Sequence, residues 1–197
     1  ELVFLDTNQL NKIYTHDFRS EKLNRVKSLF LFQCFTGLAY IDLKTLTAED
    51  IKHDGKQFWI IKERQKSGVT SNIPLTPEAI SIFNEISFIQ IDKISNKETD
   101  KDSPVIKCLS NQKFNLYLKE MSRDLGIEIK LTTHVARKTF ATMALNNGKV
   151  SIESVAKMLG HANTKVTQST YTKVLNSRIE NEMKNFRFIE TLNVANL

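Results

Sequence analysis

Apolar and polar positions alternate with two different periods along this 197-residue chain, and the change of period divides it. In "TNQLNKIYTH" Leu10, Ile13 and Tyr14 recur at helical spacing behind Thr7, a suitable cap, so a short first helix is predicted. A second begins near Ser20, carries Leu23, Val26, Leu29 and Phe30 on a wide stripe, and ends at Thr36 and Gly37; it reads as the central core helix. "YIDLKTLTAEDI" reads as a short helix followed by a turn into extended chain. Over residues 51–75 the period shortens, because "FWIIKE" and "SNIPL" are rich in β-formers and are bounded by the turn signals "HDG" and "KSG". A small antiparallel sheet of two or three strands is predicted there.

Helical spacing then returns. "LTPEAISIFNEI" has Thr76 as cap and Pro77 in the first turn, where proline is preferred. The polar stretch "KISNKETDKDSP" reads as an exposed connection. "NQKFNLYLKEMSRDLG" stops at Gly126, "THVARKTFATMALNNG" stops at Gly148, and "SIESVAKMLG" and a tail helix over about 176–190 follow. The expected architecture is one domain over 1–197, mainly α with a small antiparallel β-sheet (α+β) between its first and middle helices.

Composition narrows the function classes. Hydrophobic content of 41% and charged content of 25% are those of an ordinary globular domain. The apolar run "LFLFQCFTGLAYI", interrupted by Gln33 and Thr36, is too short to span a bilayer, and the N-terminal residues lack the pattern of a signal peptide. No membrane association and a cytoplasmic location are expected. Cys34 and Cys108 form no CxxC or Cys/His cluster, so they read as buried thiols rather than a disulfide or a zinc site. A net charge of +6 favours polyanionic partners without identifying one.

The candidate chemistry is spread along the chain. His134 and Arg137 lie three residues apart at a helix start, where unpaired N–H groups favour an anion; a capping histidine beside a solvated arginine is the plain alternative. Arg64 and Lys66 share a face if their strand persists into the "KSG" turn. His161 follows Gly160 at a helix-to-loop junction. Tyr171 stands ten residues further on, among Thr, Gln, Ser and Lys, with little apolar company to make it a core residue.

The ordered set Lys66, His134, Arg137, His161 and Tyr171 resembles that of the tyrosine recombinases, the phage-type integrase family. "FTGLAYIDLKTLTAEDI" is similar to that family's first box, "KERQKSGVTSNIPLT" to its β-turn lysine segment, "THVARKTFATMALNNG" to its HxxR box, and "VAKMLGHANTKVTQSTYTKV" to its LGH-to-tyrosine box. The resemblance implies the DNA breaking-rejoining fold and a site-specific recombinase, most like integrases of conjugative transposons and other mobile elements. Tyr171 is then the nucleophile, forming a 3′-phosphotyrosine, and Arg137 binds the scissile phosphate. Lys66 is the general acid, His134 and His161 hydrogen-bond the phosphate and handle the tyrosine proton, and Asp42 orients a neighbouring side chain. No metal, cofactor or ATP is implied.

The resemblance also implies double-stranded DNA at attachment sites as substrate, a homotetramer on DNA with a Holliday-junction intermediate, a monomeric free fragment, and accessory DNA-bending or excision proteins. Core-binding and arm-binding domains, expected ahead of such a catalytic domain, are not in this chain. One departure stands out: the family usually carries arginine directly after "TGL", and here the residue is Ala39. Either Arg64 substitutes for it, or the protein is a catalytically impaired DNA-binding relative. A chromosome-dimer resolvase and a type IB topoisomerase are further alternatives implied by the same chemistry.

Overall fold

The computed structural model describes residues 2–94, 102–146 and 150–185. These residues form α1 (Thr7–Thr15), α2 (Glu21–Thr36), α3 (Tyr40–Lys44), β1 (Ile51–His53), β2 (Phe58–Glu63), β3 (Thr70–Pro74), α4 (Pro77–Ile86), α5 (Asn111–Asp124), α6 (Thr133–Asn146), α7 (Ile152–Met158) and α8 (Thr164–Asn185). The expected α+β architecture is present, with the sheet between α3 and α4. No described helix is long and apolar enough to cross a membrane.

α2 is the scaffold. Leu23, Val26, Leu29, Phe30, Phe32 and Cys34 are all buried, and the helix packs against α1, α4, α5 and α6. Each such side chain removed from water contributes about 1.5–3 kcal/mol, so α2 fixes the helices around it firmly. It ends at Gly37, whose φ of 69° is left-handed and whose N–H donates to the Gln33 carbonyl. A Cβ at Gly37 would lie 2.5 Å from Phe140 Cδ1, so the ring of α6 sits directly on the end of α2.

The sheet is antiparallel in the order β1-β2-β3, with Ile60 opposite both Ile51 and Ile73. All three isoleucines are buried. Lys62 points to the same face as Ile60 and is buried too, donating to the Thr45 carbonyl at 2.8 Å and to Asp50 at 2.6 Å. A buried ammonium needs such partners. The pair ties the sheet to the connection behind α3.

Local expectations need four corrections. The cap of α1 is Asp6, which accepts from Gln9 N–H in a capping box, rather than Thr7. β2 stops at Glu63, and the N–H groups of Ser67 and Gly68 turn back to the Arg64 carbonyl, so Arg64 and Lys66 belong to the hairpin turn and share no strand face. The tail helix starts earlier than residue 176: α8 comprises two helical stretches that meet at a kink at Tyr171, whose backbone angles are non-helical, and the second follows that residue directly. Cys34 is buried, but Cys108 only partly; burial raises both thiols, Cys108 to about 11. The stop at Gly148, most of the polar connection, and the tail beyond Asn185 lie outside the described residues.

Candidate active site

The site is built around the end of α7. Gly160 adopts φ 58°, its N–H donates to the Lys157 carbonyl, and the His161 N–H donates to the Ala156 carbonyl, which together close the helix with a Schellman motif. That cap turns His161 out of the helix and leaves the Leu159 and Gly160 carbonyls facing other elements. Both are taken by arginines. Arg137, from the first turns of α6, donates to the Gly37 and Leu159 carbonyls, and Arg64, from the hairpin turn, donates to the Gly160 carbonyl at 3.2 Å.

Two guanidinium groups are therefore held on successive carbonyls. A Cβ at Gly160 would overlap Arg64 Cδ and Ser71 Oγ, so the arginine stem lies directly over this glycine. Asp42 of α3, 2% exposed, accepts from Arg64 Nε at 3.4 Å and from Gln65 N–H at 3.2 Å. Burial, and then the Arg64 charge, lower the Arg137 guanidinium to about 10, against the opposing pull of Tyr171 and Asp42. It stays a cation at neutral pH. Two cations beside one carboxylate leave a surplus of positive charge in a partly desolvated place.

Arg64, Lys66, His134 and Arg137 line one open cleft of about 580 Å³, together with Ala39, Tyr40, Asn111, Asn115, Lys130 and Thr132. His134 and Arg137 do share this side of α6, but they differ: His134 is exposed, while Arg137 is partly buried. Thr132 caps the helix, accepting from Val135 N–H at 3.2 Å. Lys66 stands exposed at the hairpin tip. Ala39 and Arg64 both line the cleft wall.

His161 is not among the residues that line the cleft, and its Nδ1 lies 2.7 Å from Thr167 Oγ1. Burial, then Arg137 and Arg64, lower its imidazole to about 4, so the ring is neutral at physiological pH. Tyr171 departs from expectation. It is 3% exposed and belongs to an apolar cluster with Ala141 and Leu145 of α6 and Val155 of α7, which its own stretch of sequence does not show, together with Leu159 at the α7 cap and Val174 one turn on. Burial raises its phenol to about 12, and Arg137 pulls it down. It is absent from the cleft lining.

Sequence reasoning missed the carbonyls of Gly37, Leu159 and Gly160, which carry no side-chain signal, and Thr167, whose only sequence signal is its helical spacing from Tyr171. Among the described residues, no group of three or more His, Cys, Asp or Glu is placed to hold a metal ion.

A mainly helical domain with a small sheet, its hairpin turn laid against an LGH cap, is the catalytic-domain fold of the tyrosine recombinases. Solved structures with this fold include a XerA recombinase (TM-score 0.66, 21% identity, 94% of this chain and 66% of that one). The catalytic domain of bacteriophage HP1 integrase superposes with a TM-score of 0.60 at 19% identity, over 94% of this chain and 95% of that one. The Tn1549 transposon integrase, solved with circular intermediate DNA, gives 0.64 at 16% identity, over 92% and 67%. In sequence, residues 3–178 match the phage integrase family, and the chain belongs to it. Tyrosine recombinase XerD of Listeria innocua is 30% identical over 155 residues, 77% of this chain and 50% of that protein. The chain thus spans about half the length of the curated relatives it matches.

Proposed function

We propose that the chain is the catalytic part of a site-specific DNA recombinase that cuts and rejoins strands through Tyr171. The observation that carries this reading is the pair Arg137 and Arg64, fixed on the successive Leu159 and Gly160 carbonyls, with Asp42 paired to Arg64. Like charges held together this way in a cleft favour an anion, and the scissile phosphate of duplex DNA supplies one.

Tyr171 Oη attacks phosphorus, forming the 3′-phosphotyrosine while the bond to the 5′ oxygen breaks. Lys66 gives that oxygen its proton. The two arginines bind non-bridging oxygens, which gain charge in the transition state, so they stabilise it more than the ground state. The imidazoles of His134 and His161 hydrogen-bond the phosphate, and one takes the tyrosine proton. Arg64, oriented by Asp42, fills the place that Ala39 leaves empty. Attack by a 5′ hydroxyl reverses each step and reseals the strand, with the bond energy kept in the phosphotyrosine.

Because Tyr171 is buried, its segment of α8 turns toward the cleft when DNA is bound, about the kink where its own φ and ψ are −111° and 20°. Strand exchange then uses four protomers on two duplexes. The departure at Ala39 favours a mobile-element integrase, and the identity with XerD favours chromosome-dimer resolution as the second reading. Recombination of an excised element's joined ends, against recombination of two chromosomal sites, separates them. Ala39 together with the buried Tyr171 also raises a third reading, a DNA-binding relative that does not cut.

The test is covalent trapping on nicked suicide duplexes, with Tyr171→Phe alongside. A protein–DNA adduct that disappears in the Phe variant is expected. No adduct from either the chain or a longer protein containing it would leave the non-cutting DNA binder as the better reading.

A further inference from the structure

Thr167 is fully buried, sits four residues before Tyr171 on α8, and has Oγ1 2.7 Å from His161 Nδ1. A hydroxyl carries one proton and must place it on an acceptor; left buried and unpaired, that donor would cost free energy. Among the described residues Thr167 Oγ1 has no other hydrogen-bond partner. It does not bond back to the carbonyl one turn earlier, as Thr170 and Thr172 do. If His161 Nδ1 held the proton and donated it, the Thr167 O–H would have nowhere to point. The reverse arrangement satisfies both groups.

We infer that Thr167 is a positioning residue: its hydroxyl donates to His161 Nδ1, fixes the imidazole proton on Nε2, and so makes His161 a hydrogen-bond donor in the site. This deepens the recombinase reading and rests on it for the role in cleavage. A neutral ring has one N–H, and the bond made by one nitrogen decides where it lies. With Nδ1 occupied by Thr167, the nitrogen left for the phosphate is Nε2, bearing hydrogen. His161 is then unsuited to accept the Tyr171 proton, which leaves His134 for that task.

The same bond has a second consequence. Thr167 and Tyr171 are one turn apart on one buried face of α8, and His161 hangs from the cap of α7. The hydrogen bond therefore joins the helix that carries the nucleophile to the loop that carries the donor, on the side of Tyr171 preceding the kink.

Thr167→Val keeps the buried shape and removes the donor; Thr167→Ser keeps the donor. Long-range proton–nitrogen NMR of the 15N-labelled chain at neutral pH reads the His161 tautomer directly, with His161→Gln to assign the signal. The parent and Thr167→Ser are expected to show a single Nε2–H form, and Thr167→Val an exchanging mixture. Single-turnover trapping should fall about tenfold in Thr167→Val, the worth of one well-made hydrogen bond, and return in Thr167→Ser. An Nδ1–H form in the parent, or a pure Nε2–H form in Thr167→Val, overturns the assignment. A mixed tautomer with parental trapping overturns the role in cleavage. Should the parent show the Nε2–H form, lost in the Val variant, yet neither the parent nor a longer protein containing it make an adduct, the recombinase reading fails and the Thr167–His161 assignment stands. If Thr167→Val does not fold, Thr167→Ala carries the same comparison.

Discussion

Arg64→Ala tests the reading at its most exposed point, because it separates a structural effect from a chemical one. In the parent, the Arg64 side chain is 13% exposed and its Nε faces Asp42, itself 2% exposed, at 3.4 Å. Truncation leaves the Asp42 carboxylate in the interior with the Gln65 N–H as its remaining partner. Removing one member of a buried pair costs about 3–5 kcal/mol, and this single long contact belongs at about 3. For a domain of this size that lowers Tm by roughly 6–12 °C. Cleavage should fall further than stability explains, by about 100- to 1000-fold, as for loss of one fixed donor to a developing anion. The double variant Arg64→Ala/Asp42→Asn removes the stranded charge, so most of the Tm should return while cleavage does not. Thermal melts and single-turnover trapping at a temperature where all three proteins are folded read both effects. Arg64→Ala cutting at the parental rate would refute the substitution for Ala39, and a double variant no more stable than the single would refute the buried-charge argument.

Other variants probe the surrounding parts. Gly160→Ala should mimic Arg64→Ala in trapping, since a Cβ there displaces the Arg64 stem, and should add about 1–2 kcal/mol of left-handed backbone strain seen in denaturant titration; parental trapping would mean Arg64 need not lie over Gly160. His161 is held near 4 when folded against 6.5 when free, so it contributes stability that is present above pH 6.5 and lost as pH falls through 4. His161→Gln should therefore lose less stability than the parent between those pH values, and an identical pH slope would contradict the depressed imidazole. Lys66→Ala should slow cleavage of ordinary DNA with little change in affinity, and a substrate with sulfur in place of the 5′ oxygen should recover the rate, because a thiolate leaves without a proton.

Much of the fold was legible locally. Thr76 with Pro77, and Gly126, mark helix ends by what their own atoms do: a hydroxyl that accepts from Ala79, a ring that fixes φ, a residue that tolerates positive φ. The β-formers between "HDG" and "KSG" gave away the sheet for the same reason. The ordered set of Lys66, His134, Arg137, His161 and Tyr171 was legible as a resemblance, because order along the chain survives without knowledge of the fold.

Tertiary structure alone decided how those residues meet. Tyr171 looked solitary because its apolar neighbours Ala141, Leu145, Val155 and Leu159 come from α6 and the α7 segment, before it in sequence. Arg64 was drawn as a strand residue, yet its partners Asp42 and Gly160 lie 22 and 96 positions away. Arg137 spans 100 positions to the Gly37 carbonyl. Capping and periodicity are short-range, set by atoms within a turn or two. A site made of backbone carbonyls and buried side chains from distant segments exists only once packing around α2 has brought those segments together.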